Sequence, residues 1–263
     1  MKHKMISHSI FDSGNVISIA GAGGKTSLMF YLARHASVPC IVTTTTKVGK
    51  EQIKAADIRM SLSDFLNDSD DFRDSEVIWV SPMTDDGEGK IKGFDQDRFS
   101  LLAEKAAESG MLIINEADGA HFRHIKAPGE NEPVIPSETT AMLFVTGLDV
   151  IGKQVNEENV HRLEQFEVIN GCRTGCVIDQ DLIIHNIIDP RSGFKNCPET
   201  AARIAVLNQA DSPSSVKTGR EIGAVLLENG IHEVWISSLW KGNEMIYQML
   251  RIRRNECHLS ELF

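Results

Sequence analysis

Short, mostly apolar runs alternate along the chain with stretches in which apolar residues recur every three or four positions. The first pattern predicts strands buried on both faces, and the second predicts helices that bury one face. Residues 16–20 form the first such run. A glycine turn separates it from a helix over 25–35, where Leu28, Leu32 and Ala33 share one face. Further strands are expected at 39–44, 77–80, 111–114, 142–145, 204–207 and 233–236, with helices at 97–108, 157–169 and 214–228. Strand and helix in turn, without an internal repeat, predict an α/β fold with a mostly parallel central sheet covered on both faces. No Pro/Gly-rich linker marks a boundary, so residues 1–263 read as a single domain, with a C-terminal subregion from about 172 as the other division.

Composition narrows the class. With 41% hydrophobic and 24% charged residues, the chain can bury a large core and is neither disordered nor fibrous. Lys+Arg at 27 against Asp+Glu at 37 leaves a net charge of −10, which repels phosphodiester backbones and argues against a nucleic-acid partner. Five scattered cysteines suit reduced thiols in the cytoplasm. Cys172 and Cys176 are a C-x3-C pair without a second pair at zinc-site spacing, and read as thiols. Residues 1–14 contain no apolar stretch of signal-peptide length, and no run approaches the ~18 apolar residues of a membrane span. The acidic stretch 63–76, with Asp68, Asp70, Asp71 and Asp74, reads as a solvated surface connection.

The chemistry begins directly after the first strand, with Gly21, Ala22, Gly23, Gly24, Lys25, Thr26 and Ser27 opening the first helix. Glycines let backbone N–H groups turn toward phosphate oxygens, and the helix N-terminus adds positive potential. Lys25 is placed to reach the outer phosphates, and the Thr26 hydroxyl to bind Mg²⁺. The usual G-x-x-x-x-G-K-[ST] spacing would put glycine at Ile19, so this loop is a shortened variant. Its spacing resembles that of Mur-type ligases. In this context the motif predicts a P-loop NTPase-like three-layer fold that binds ATP or GTP with Mg²⁺.

A phosphate loop needs a carboxylate on a neighbouring strand end, and Glu116 and Asp118 offer two. Residues two apart in an extended segment point the same way, so both would face one metal or one metal-bound water; an acidic turn is the alternative. The second strand ends in a threonine run, with Thr45 and Lys47 as possible phosphate or substrate contacts, although β propensity alone also selects threonine. After Gly119 come His121, Arg123, His124 and Lys126, four cations or potential cations within six positions, suited to a second anionic substrate or to a solvated loop. Asn208 and Asp211 close another strand in a pattern that resembles the N-K-x-D base-recognition motif of GTPases, with Gln209 in place of its lysine. A plain turn is the alternative there.

Taken in order, these motifs, the K-A-P-x-E-x-E-P-V-I-P stretch after Lys126, and Val160-His161-Arg162 resemble the YqeC family from about residue 16 to residue 211. That family is regarded as P-loop accessory proteins of selenium-dependent molybdenum hydroxylases. The resemblance implies a role in making or inserting a selenium-containing molybdenum cofactor, with a nucleoside triphosphate as energy source or donor. The implied partners are the molybdenum cofactor or a selenium species, and a molybdenum hydroxylase. By the same resemblance Lys25 and Thr26 match the phosphate loop, Glu116 and Asp118 the acidic motif, Arg123 and Lys126 the basic stretch, and Asn208 and Asp211 the late motif. His161 and Arg162 match a recurring V-H-R, on a predicted helix where they equally suit a capping or surface pair.

The expected activity is that of a Mg²⁺-dependent NTPase or an NTP-dependent phosphoryl or nucleotidyl transferase. In it the loop with Lys25 and a Mg²⁺ held by Glu116 and Asp118 align the γ-phosphate, and the basic stretch with Arg123 presents an anionic acceptor. A nucleotide-gated carrier or chaperone with little turnover is the second reading. A ligase working through an acyl phosphate is the third, and rests on loop spacing alone.

Overall fold

The computed structural model describes residues 10–67, 76–83, 90–239, 244–253 and 256–261, those from 248 onward by their backbone alone. Residues 1–9, the stretch holding Asp68, Asp70, Asp71 and Asp74, and the Cys257 side chain lie outside that description. In chain order the elements are β1 (Val16–Gly21), α1 (Lys25–His35), β2 (Cys40–Thr44), β3 (Val48–Gly49), a 3-10 turn (Gln52–Ala55), β4 (Ile58–Ser61), α2 (Leu62–Asn67), β5 (Val77–Ser81), β6 (Lys90–Ile91), α3 (Gln96–Glu108), β7 (Leu112–Glu116) and β8 (Ile125–Lys126). They continue with β9 (Ala141–Gly147), a second 3-10 turn (Leu148–Val150), β10 (Val160–His161), α4 (Leu163–Asn170), α5 (Gln180–Ile188), β11 (Ala202–Asn208), α6 (Pro213–Glu228), β12 (Glu233–Ser238), β13 (Met245–Arg253) and β14 (Glu256–Glu261).

Ten strands make one sheet in the order β14-β13-β12-β11-β9-β1-β7-β2-β5-β4. All neighbouring pairs are parallel except β12–β13 and β13–β14, so β13 alone runs against the others, and β13 and β14 close one edge as an antiparallel hairpin. β11 and β12, well past residue 172, therefore extend the same sheet.

The period of two along each strand builds the layers. Ile17 and Ile19 on one face of β1 join the cluster of Leu28 and Leu32 from α1. On the opposite face Val16 joins Phe99 and Leu102 of α3, and Ala20 joins Ile222 and Leu226 of α6. Each such side chain, fully buried, contributes about 1.5–3 kcal/mol relative to exposure. Helices on both faces of a mostly parallel sheet give the α/β, P-loop NTPase-like three-layer fold. Its consequence is positional, because the C-terminal ends of β1, β2, β7 and β11 reach one edge, where open α/β sheets bind ligands.

The predicted helix over 157–169 is corrected. Asn156 accepts from the amides of Glu158 and Asn159, both at 3.1 Å, and forms a turn. Val160–His161 then pairs in parallel with Ile125–Lys126, and Arg162 is left-handed at φ 60°, so α4 starts only at Leu163. His161 and Arg162 thus stand on a strand and a helix cap. Elements α2, α5, β4 and the terminal hairpin were not expected from the sequence.

Candidate functional site

The phosphate-loop motif occupies the turn from β1 into α1, and its glycines are required there. Gly21 has φ 97°, and a Cβ on it would lie 2.2 Å from the Val145 carbonyl oxygen; Gly24 has φ 112°, and its Cβ would lie 2.4 Å from Asn208 Nδ2. The loop is braced on all sides. Gly21 N–H donates to Asp118 Oδ2 at 3.1 Å, Ala22 N–H to the Val145 carbonyl at 2.8 Å, and Gly23 N–H to the Arg123 carbonyl at 3.0 Å. The first-turn amides of α1 lack intrahelical partners by geometry and receive no side-chain cap from Gly24.

Lys25 is buried and bends back over the loop. Its Nζ donates to the Gly21 carbonyl at 2.8 Å and lies 3.2 Å from Asp118 Oδ1 and 3.7 Å from Glu116 Oε1. Thr26 Oγ1 donates to Glu116 Oε2 at 3.1 Å and accepts from Gln52 Nε2 at 3.4 Å. The two carboxylates on the β7 end therefore reach the same lysine, as their spacing of two residues predicts. Burial pushes the Glu116 carboxyl above its ordinary range, against the opposing charge of Lys25 and the Thr26 hydrogen bond. Asp118 Oδ1 is buried without a hydrogen-bond donor, although Lys25 sits within ion-pair distance of it.

The basic stretch is not a presented row of cations. Lys126 is fully buried, and its Nζ donates to Asp118 Oδ2 at 2.8 Å, the Gly119 carbonyl at 2.7 Å and Glu132 Oε2 at 3.0 Å. Arg162 forks onto both oxygens of Glu132, with Nη2 to Oε1 at 2.6 Å. Burial would raise the Glu132 carboxyl, but the Arg162 hydrogen bonds and the Lys126 charge outweigh it and hold the group at about 2. Lys25, Lys126 and Arg162 are thus each paired with carboxylates of Glu116, Asp118 or Glu132. His161 stacks on His121 with ring centroids 4.9 Å apart. Burial, with Lys126 and Arg162 nearby, brings its imidazole down to about 4.

His124 Nδ1 lies 2.5 Å from Asp149 Oδ1 and 3.0 Å from Gln209 Oε1, and the Asp149 hydrogen bond raises its pKa. Arg123 Nε donates to the Glu157 carbonyl at 2.6 Å. Just before these anchored residues Phe122 stands 89% exposed. Thr45 Oγ1 donates to the Val134 carbonyl at 2.6 Å and accepts from Asn115 Nδ2, while Lys47 and Ser27 are exposed.

The late motif reaches the loop from the side. Asn208 Nδ2 donates to the Gly23 carbonyl at 2.7 Å, and its Oδ1 accepts from Ser237 Oγ at 2.9 Å. Asp211 Oδ1 accepts from Ser238 Oγ at 2.5 Å, three residues beyond the asparagine. Gln209, left-handed at φ 60°, turns its amide to His124. Among the described residues no three His, Cys, Asp or Glu side chains converge to hold a metal, and Cys172 and Cys176 are free thiols.

Sequence reasoning missed Gln52, Glu132, Asp149, Ser237 and Ser238. Glu132 had a signal, since it lies in the proline-rich stretch six residues after Lys126. The two serines also had one, at the C-terminal end of a strand. Gln52 had none, because only the fold brings the 3-10 turn to Thr26.

Comparison with known proteins agrees with these motifs. The YqeC protein family model matches residues 17–164, more than half of the chain and inclusive of the phosphate loop, both carboxylates, Lys126, Glu132 and Arg162. The "Uncharacterized protein YqeC" of Escherichia coli (strain K12) is 28% identical over 232 residues, which cover 85% of this chain and 87% of that protein. On this match the chain belongs to the YqeC family.

Proposed function

We propose that the protein binds a nucleoside triphosphate with Mg²⁺ at residues 21–27 and hydrolyses it or transfers part of it to an acceptor. The observation that carries this reading is the convergence of Lys25 and Thr26 with Glu116 and Asp118, all within 3.1–3.7 Å, at the ligand-binding edge of a parallel sheet. The donor set suits Mg²⁺, because Thr26 and both carboxylates offer hard oxygens and Asp118 Oδ1 is a buried acceptor without a donor. Too few protein ligands converge to hold the ion alone, which matches a metal held by one or two carboxylates together with phosphate oxygens. When bound, Mg²⁺ neutralises charge on the phosphates.

The chain's own part is positioning. The first-turn amides of α1 meet phosphate oxygens, and Lys25 exchanges its carboxylate partners for phosphate. Asn208 keeps Gly23 in place through the exchange. Asp211 and Asn208 at the β11 end serve base recognition by their likeness to the N-K-x-D pattern, in which Gln209 replaces the lysine and weakens the case for GTP over ATP. Family membership supports the setting, namely cytoplasmic maturation of a selenium-dependent molybdenum hydroxylase or its cofactor. The second reading, a nucleotide-gated carrier, is favoured by one observation: the amides of Gly21, Ala22 and Gly23 are already bonded within the protein, so the loop is stable without ligand.

The test is binding and hydrolysis of ATP, GTP and CTP, with and without Mg²⁺, by the protein and by Lys25→Ala and Asp211→Ala. Lys25→Ala is expected to abolish Mg²⁺-dependent turnover and weaken nucleotide binding by about 100-fold, the scale of losing a charge-assisted phosphate contact. Unchanged binding in Lys25→Ala refutes the reading. Binding without turnover selects the carrier, and a GTP preference lost in Asp211→Ala assigns the base.

A further inference from the structure

The N-K-x-D pattern carries a cation at its second position, where this chain has the neutral Gln209. Gln209 is left-handed at φ 60°, a conformation that glutamine rarely adopts, and its Oε1 lies 3.0 Å from His124 Nδ1. Asp149 Oδ1 lies 2.5 Å from the same nitrogen. The backbone makes room for this cluster, because a Cβ on Gly147 would lie 2.0 Å from Gln209 Oε1 and 3.1 Å from Asp149 Oδ1. Two acceptors at Nδ1 fix a proton there, so the imidazole meets any other group through Nε2. That nitrogen has no hydrogen-bond partner among the described residues and is open to solvent, on a side chain 34% exposed. The segment that carries it is fastened to the phosphate loop. Gly23 N–H donates to the Arg123 carbonyl at 3.0 Å, and a Cβ on Gly23 would lie 3.0 Å from the His124 carbonyl oxygen.

We propose that His124 supplies the cation that Gln209 leaves out of the motif, donating through Nε2 to a phosphate oxygen of the bound nucleotide. The inference rests on the nucleotide reading above and deepens it. The charged groups that face the ring are Asp149 and Lys153, both in the segment after β9, and Lys153 Nζ donates to Asp149 Oδ2 at 2.9 Å. Asp149 therefore does not oppose the ligand. Lys153 matches its charge, and the two N–H bonds of an imidazolium point away from each other, which places the phosphate across the ring from the carboxylate. The Asp149 hydrogen bond raises the His124 pKa above its ordinary 6.5, so the contact is in place at and below that pH and is lost as pH rises through the folded value.

The test is the affinity for the Mg²⁺ complexes of the non-hydrolysable imido analogues of ATP and GTP, measured by calorimetry from about pH 6 to about pH 9, which spans the histidine titration. Across that range affinity should fall about tenfold more in the parent than in His124→Gln, whose side chain carries no charge at any pH. The titration of the ligand itself is common to both proteins and cancels. Asp149→Asn keeps the ring and should move the fall to lower pH, which a merely structural role for His124 would not do. By linkage, the ligand should also raise the pH at which the His124 ring signals titrate by about one unit. Nucleotide binding with the same pH dependence in the parent and in His124→Gln, or ring signals whose titration the ligand leaves unmoved, overturns the proposal while the phosphate-loop reading stands. Absence of nucleotide binding at every pH refutes that reading, and this inference with it.

Discussion

Lys126→Met removes the centre of the buried charge network while keeping most of the side chain's volume. Lys126 has no exposed side-chain surface and gives three hydrogen bonds of 2.7–3.0 Å, to Asp118, Gly119 and Glu132. Breaking a buried pair by deleting one partner costs roughly 3–5 kcal/mol, because the remaining charge stays out of water. Here both remaining carboxylates keep a second partner: Arg162 on Glu132, and Gly21 N–H with Lys25 on Asp118. The loss is therefore expected near the lower end, about 3 kcal/mol. With a urea slope of about 3 kcal/mol per M, at the upper end of the usual range, the unfolding midpoint should fall by about 1 M. Lys47→Met, at an exposed lysine, is the control and should stay within about 0.5 kcal/mol of the parent. A loss below about 1 kcal/mol for Lys126→Met would be the value of a solvated surface pair and would refute the buried network.

Glu132 is held at about 2 against an ordinary 4.5, so the stability it adds is in place above about pH 4.5 and lost as pH falls through about 2. Glu132→Gln should flatten that acid limb in a series of Tm measurements, and an unaltered limb would place its origin elsewhere. The His124 pKa is raised chiefly by Asp149, so its stabilising charge is fully present below its ordinary 6.5 and lost as pH rises through the folded value. In Asp149→Asn the His124 ring signals should titrate at lower pH than in the parent, and an unmoved titration would assign the shift to another neighbour. Burial pushes the Cys40 thiol far up, whereas Cys176 is exposed. Maleimide labelling followed by peptide mapping should modify Cys176 long before Cys40, which stays untouched until unfolding; comparable rates at the two would contradict the packing around β2.

Local pattern made much of this fold legible. The α1 bounds match the expectation at both ends, and each predicted strand lies within a few residues of an observed one, because strands buried on both faces are apolar at most positions. The Glu116/Asp118 pair was legible for a similar reason, since extended backbone returns every second side chain to the same side. The two-residue strand Val160–His161 was not: its partner is Ile125–Lys126, and nothing local distinguishes it from a helical turn until that pairing forms. The same distinction holds in the site. The sequence by itself determined the glycine turn from β1 into α1, the carboxylates facing it and the alternation that forms the sheet, all matters of backbone geometry over a few residues. Only the tertiary structure decided that Lys126 is a buried strut between Asp118 and Glu132, that Asn208 holds Gly23 from 185 positions away, and that Gln52 reaches Thr26. A charge's role depends on which groups the packed strand ends bring within hydrogen-bonding distance, and that proximity is set by the order of the sheet rather than by neighbours along the chain.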